Sequence, residues 1–202
     1  MKKLLTGLFA AAVACGVNAQ NSSGFNGFIE AGPGVLSHSG TIANGMKVQG
    51  GQFGGQIAAG MYFAQSELGA LRLAGSVGYY TSGSGNRNDR NKNAIDGYTV
   101  PVLADLAYEF NLSPVRLRLG PAAGFTNIDW RWNERVNYGW FSMNLPRGLT
   151  GTTFTYGGQL GLSVDFSESV YAAADYKYLR FTDSKVSDDN VHAFLLSLGF
   201  RF

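Results

Sequence analysis

The sequence predicts an all-β protein, an eight-stranded antiparallel up-and-down transmembrane β-barrel, on three observations. Apolar residues recur at every second position in eight successive segments from Phe25 onward. Tight and long connections alternate between those segments. The chain also carries 28 glycines, 14 phenylalanines and 10 tyrosines, a composition far from helical.

The first residues read as a targeting segment. Lys2 and Lys3 form a basic start, Leu4 to Ala14 an apolar run, and Val17-Asn18-Ala19 the small residues of a cleavage site. The run is too short to cross a bilayer as a helix. The expected organisation is a signal peptide over 1–19 and one β-barrel domain over 20–202. Cys15, the single cysteine, follows Ala12-Val13-Ala14 in a loose likeness to a lipidation site, but leucine is usual where Ala12 stands. Cleavage after Ala19 leaves a chain with neither disulfide nor thiolate metal site. Without Lys2 and Lys3, 14 basic residues face 14 acidic ones, so the exported chain is neutral and nothing suggests a nucleic-acid partner.

The strands follow in order. Phe25, Ile29, Ala31, Pro33 and Val35 oppose Asn26, Phe28, Glu30, Gly32 and Gly34. Phe53, Ile57, Ala59, Met61 and Phe63 oppose Gln52, Gly54, Gln56, Ala58 and Gly60. Leu71, Leu73, Val77 and Tyr79 alternate with Arg72, Ala74, Ser76 and Gly78. The fourth strand is long and regular, with Tyr98, Val100, Val102, Ala104, Leu106, Tyr108 and Phe110 against Thr99, Pro101, Leu103, Asp105, Ala107 and Glu109. Val115, Leu117, Leu119, Pro121, Ala123 and Phe125 oppose Arg116, Arg118, Gly120, Ala122 and Gly124. The sixth strand sets the even positions of 154–166 against Thr155, Gly157, Gln159, Gly161, Ser163 and Asp165. Val170, Ala172, Ala174, Tyr176 and Tyr178 oppose Asp175 and Lys177, and Phe194, Leu196, Leu198, Phe200 and Phe202 oppose Ala193, Leu195, Ser197, Gly199 and Arg201.

Tight turns are expected at 66–69, 111–114 and 167–169, and long connections at 37–51, 81–97, 128–153 and 182–190. This asymmetry matches a barrel with short periplasmic turns and long extracellular loops. A soluble barrel alternates as well, so the choice rests on which face fits inside. The lumen of eight strands holds only a modest set of side chains, and the small or polar faces suit it. The oily faces must then meet lipid. Segments of ten to thirteen residues rising about 3.3 Å each and tilted by about 45° cover a hydrocarbon band of about 25 Å. Phe53, Phe63, Tyr98, Tyr108, Phe110, Phe154, Phe166 and Tyr178 near strand ends would form the interfacial girdles.

The ending Phe194-x-Leu196-x-Leu198-x-Phe200-x-Phe202, together with Gly161 to Phe166, a tight turn and Val170 to Phe181, resembles the small outer-membrane β-barrels of the opacity and adhesin type. The resemblance covers the chain from residue 20 onward. It implies a location among outer-membrane lipids and recognition of the terminal strand by the barrel-assembly machinery during biogenesis. It leaves function open, because such barrels include adhesins, defence proteins and small channels.

Inward positions carry Glu30, Asp105, Glu109, Asp165 and Asp175 beside Arg72, Arg116, Arg118, Lys177 and Arg201. Charges in so narrow a space must pair, and a paired network would plug the barrel. A charge-lined pore for small solutes is the alternative. A lipid A-modifying enzyme is the remote one, since some barrels of this size resemble the chain and use histidine with serine. Only His38 and His192 are present, and Ser37-His38-Ser39 lacks the His-x-Ser-Asn pattern of such a deacylase, so His38 is expected to be a loop residue without a role. No cofactor or metal motif is present. The third long connection holds all three tryptophans, Trp130, Trp132 and Trp140, followed by Phe141. They are candidates for recognising an unknown extracellular partner, or for anchoring the loop at lipid headgroups. The polar, glycine-rich 82–93 stretch is expected to be mobile. The leading expectation is a non-enzymatic surface barrel that acts in envelope integrity or adhesion.

Overall fold

The computed structural model describes residues 26–42, 47–82, 96–137, 142–182 and 186–202, with side chains over 26–39, 50–82, 97–131, 148–182 and 190–202. Eight strands form a closed barrel in sequence order: β1 (Asn26–Ile42), β2 (Lys47–Ser66), β3 (Gly69–Thr81), β4 (Asp96–Leu112), β5 (Val115–Asn137), β6 (Ser142–Asp165), β7 (Val170–Phe181) and β8 (Val186–Arg201). Every neighbouring pair is antiparallel, as the meander predicts. β8 closes on β1 from Phe28↔Arg201 to Ile42↔Val186, and Gly27 and Phe202 exchange backbone hydrogen bonds of 2.9 and 3.0 Å. Closure leaves no sheet edge in the apolar band, where each unpaired amide would cost several kcal/mol, on the order of magnitude of hydrocarbon transfer.

The side chains obey the expected parity. Phe53, Phe125, Leu160, Leu162, Phe194, Leu196, Leu198 and Phe200 stand exposed on the outer surface. Phe28, Arg72, Asp105, Arg118, Gln159 and Lys177 are buried inside. Turns fall at Glu67–Leu68, Ser113–Pro114 and Phe166–Ser169, all at one end of the barrel. Aromatic pairs mark both rims of the apolar band. Tyr108 meets Phe110 at 4.6 Å at the turn end, and Phe125 meets Phe154 at 5.6 Å and Tyr79 meets Tyr98 at 6.2 Å at the loop end.

The strands run much further at the loop end than the oily faces indicate. β1 continues to Ile42, β2 starts at Lys47 and β8 at Val186. The expected loop over 128–153 is mostly a β-hairpin, paired from Ile128↔Gly151 to Asn137↔Ser142. The reason is a reversal of polarity along the barrel. Past the aromatic rim the outward positions become Asn127, Asp129, Arg131, Thr152, Arg180 and Asn190, whereas the inward ones bring in the large apolar Ile128, Trp130, Leu179, Phe181 and Val191 beside His38 and buried threonines. Alternation persists with its sign inverted, because these strand ends leave lipid for water.

Two glycines let large lumen side chains lie flat. A Cβ on Gly199 would stand 2.1 Å from the Tyr171 ring, and one on Gly161 would stand 2.0 Å from the Asp175 carboxylate, each across a strand pair. Ala64 takes a left-handed φ of 50° where the β2–β3 register shifts before the turn.

Candidate functional site

The lumen is filled in layers, and its lower half is ionic. Nearest the turns, Arg116 and Arg201 both bind Asp165, at 2.8 and 2.6 Å, and both reach Glu109, at 3.5 and 3.7 Å. The Arg201 guanidinium also lies 4.0 Å over the Tyr171 ring. Above this, Arg118 contacts three carboxylates at once: Asp175 at 3.1 Å, Glu30 at 3.3 Å and Glu109 at 3.4 Å. Glu30 also accepts from Arg72 at 2.5 Å and from the Tyr171 hydroxyl at 2.9 Å. The Arg72 guanidinium stacks 4.0 Å over Phe28. Higher still, Lys177 donates to Asp105 at 2.7 Å, and the Ser76 hydroxyl donates to the same carboxylate at 3.2 Å.

All ten inward charges named from the sequence therefore meet in one lumen, each in at least one ion pair. Burial of a charge is tolerable only with this degree of pairing. Among the described lumen residues, these five acids balance five bases in formal charge.

The outer half of the lumen is a different material. Leu36, Tyr80, Leu103, Ile128, Trp130, Leu179, Phe181, Val191 and Leu195 form one apolar cluster. Expected in loops, both Trp130 and His38 are instead in its midst, each 1% exposed. Their rings stack with centroids 4.5 Å apart at 12°, and the Trp130 indole N–H donates to Thr99 Oγ1 at 2.9 Å. The oily outward face of β5 ends at Phe125, but the strand itself continues through Trp130 to Asn137. Trp132 belongs to β5, but its side chain lies outside the described residues, as do Trp140 and Phe141. Most of the 82–93 stretch is outside them too.

The local dyad considered for His38 cannot assemble. Ser37 and Ser39 are its strand neighbours, so their side chains point to the opposite face. His192 faces outward and shares a 2.7 Å hydrogen bond between its Nδ1 and the Tyr176 hydroxyl. Among the described residues there is no group of His, Cys, Asp and Glu arranged to hold a metal ion. Phe194, Leu196, Leu198 and Phe200, the expected assembly signal with Phe202, project from β8 toward lipid.

The outer membrane protein β-barrel domain family matches residues 7–202. The chain belongs to that family. It is thus an outer-membrane protein, with its oily faces in lipid and its short turns at the periplasmic end. Among solved structures it is similar to Neisserial surface protein A, with a TM-score of 0.55 at 21% identity over 89% of this chain and 96% of that one. It is also similar to Ail, the attachment invasion locus protein of Yersinia pestis, solved with the heparin analogue sucrose octasulfate, with a TM-score of 0.52 at 19% identity over 89% and 100% of the two chains. A major outer membrane protein from Thermus thermophilus gives a TM-score of 0.58 at 13% identity over 89% and 100%. Identities this low carry the fold alone. No curated protein matches the sequence.

The apolar outer plug is the part of the lumen that sequence reasoning missed. Its signal was present: Ile128, Trp130, Leu179, Phe181 and Val191 continue the inward parity of their strands beyond the last oily outward residue.

Proposed function

We propose that this barrel is a non-conducting, non-enzymatic surface protein that acts in envelope integrity or adhesion through its extracellular hairpins. The sealed lumen carries this reading. A lower plug of mutually paired charges and an upper plug built on Trp130, His38 and Leu103 leave the residues that face the outside as the means of action. On the same reading, the exported chain starts near Gln20 once 1–19 are removed, and the barrel-assembly machinery recognises the Phe194 to Phe202 ending.

Among the described residues, the part that reaches furthest is β5–β6. β5 last pairs with β4 at Asp96↔Arg131, and β6 last pairs with β7 at Thr155↔Phe181, yet β5 and β6 remain paired with each other to Asn137↔Ser142. Six residue pairs beyond Arg131, at about 3.3 Å per residue, make an arm about 20 Å long. It carries Trp132, and the chain that joins Asn137 to Ser142 contains Trp140 and Phe141. Aromatic side chains on such an arm suit a sugar or protein partner.

The test replaces Trp132, Trp140 and Phe141 with serine and leaves the buried Trp130 intact. Cells bearing the variant should lose attachment to host-cell or abiotic surfaces while the protein keeps the gel-mobility difference between boiled and unboiled samples. Undiminished attachment would count against recognition through the arm.

A further inference from the structure

The outer layer of the lumen holds one group that an apolar site tolerates in only one charge state. His38 is buried with its ring flat against Trp130, and neither ring nitrogen has a hydrogen-bond partner among the described residues. Leu36, Leu179 and Val191 belong to the apolar cluster built around Trp130. A neutral imidazole forgoes one donor and one acceptor bond there. An imidazolium would bring a full charge and two unanswered N–H donors, a far larger penalty.

Among the described side chains, no neighbouring charge offsets that penalty. His38 stands level with Gly50 of β2 and Val191 of β8. The titratable group in the cluster is Tyr80 of β3, whose hydroxyl likewise has no hydrogen-bond partner. Below the cluster the first charges are Lys177 and Asp105, which bind each other at 2.7 Å. Asp129, Arg131 and Arg180 stand on outward faces, and Glu134, Arg147 and Asp189 lie higher on β5, β6 and β8 with side chains outside those described. Burial therefore pulls the imidazole down from 6.5 to about 4. The backbone beside it can yield, because the β1–β8 register shifts between Ser39 and Thr41, directly above His38, and such an irregularity interrupts the ladder.

We propose that His38 and Trp130 form an acid-released latch on the extracellular half of the barrel. When His38 takes up a proton from solvent, its ring leaves the Trp130 stack for water at the Ser39–Thr41 irregularity, and the upper ends of β1 and β5 lose their contact across the lumen. The ionic layer, from Lys177 downward, keeps the lower half closed. The latch acts on the barrel itself, whatever the β5–β6 arm binds. Its sign follows from the closed form selecting the neutral ring. The latch holds fully above about pH 6.5, where the ring in water is neutral too, and weakens as the pH falls toward 4. With the ring titrating at 6.5 when released and at about 4 when latched, the ratio of released to latched barrels should rise about 30-fold between pH 8 and pH 5.

The test is hydrogen–deuterium exchange of the folded barrel in lipid nanodiscs, with intrinsic exchange rates divided out. Protection of the β5 amides over 128–131 should fall about 30-fold from pH 8 to pH 5, while that over 117–123, in the lower half of the same strand, stays constant. With Trp132 and Trp140 replaced by phenylalanine, the emission of Trp130 should shift to longer wavelength over the same range. His38→Phe keeps a ring on Trp130 that cannot take up a proton, and its protection should be equal at both pH values. His38→Gln, which also stays neutral, should be equally flat and covers the case in which phenylalanine overpacks the site. Asp189→Asn with Glu134→Gln should leave the 30-fold change in place. Constant protection in the wild type, a fall of the same size in both His38 variants, or its disappearance in the Asp189 and Glu134 variant would overturn the latch.

Discussion

Arg118 joins more of the lumen than any single strand does. It is 1% exposed and touches Glu30, Glu109 and Asp175, so its removal takes from buried Asp175 its ion pair and from Glu30 and Glu109 one partner among several. Arg118→Met should lower stability in urea unfolding from lipid vesicles by about 3–5 kcal/mol, the scale for breaking a buried ion pair from one side. Lys177 and Asp105 offer the complementary case, because they pair mainly with each other at 2.7 Å. Lys177→Met and Asp105→Leu should each cost about 3 kcal/mol alone, and much less than the sum together. Additive losses would show that the pair is not what holds those side chains. The ten lumen charges were legible in the sequence because, inside the lipid band, parity alone assigns a polar residue to the interior. His38 was not legible. Its neighbours Ser37 and Ser39 are as polar as a loop, and only the outward-facing water above the rim explains why polar and apolar positions exchange faces there.

At the scale of strands, the β5–β6 hairpin illustrates that exchange. Its lower half presents Leu117, Leu119, Leu160 and Leu162 to lipid, and its upper half turns Ile128 and Trp130 inward with Asp129 and Arg131 outside. A search for continuous oily faces ends the strands at Phe125 and Phe154 and leaves the rest as a loop. Trp130→Ala removes the largest side chain of the outer plug and should cost about 3–5 kcal/mol, as large-to-small changes of buried aromatics do. The loss should be felt at the loop end. Protease cleavage of the hairpin should rise while the gel shift of the folded barrel persists, whereas loss of the shift would mean that the outer plug is needed for closure. Gly199→Val tests the periplasmic half. The added side chain meets the Tyr171 ring, whose hydroxyl would lose Glu30, for a destabilisation of about 1–3 kcal/mol by overpacking. The turns were legible because Ser66 to Gly69, Asn111 to Pro114 and Ser167 to Ser169 break the alternation abruptly.

For the molecule as a whole, two kinds of plug fill one closed sheet. Beneath the aromatic rim the barrel is a membrane protein, oily outside and ionic within. Above it the same eight strands form the beginnings of a soluble barrel, polar outside and apolar within. This arrangement explains why closure, β1 against β8, continues from the Gly27 and Phe202 backbone bonds up to Ile42↔Val186, well past the lipid band. The proposed function requires that neither layer admits ions. Single-channel recording in planar bilayers tests it most directly. The wild-type barrel should give no stable conductance steps across the accessible voltage range. Discrete, reproducible openings of the wild type, altered when Arg116 and Arg118 become alanine, would contradict the sealed lumen.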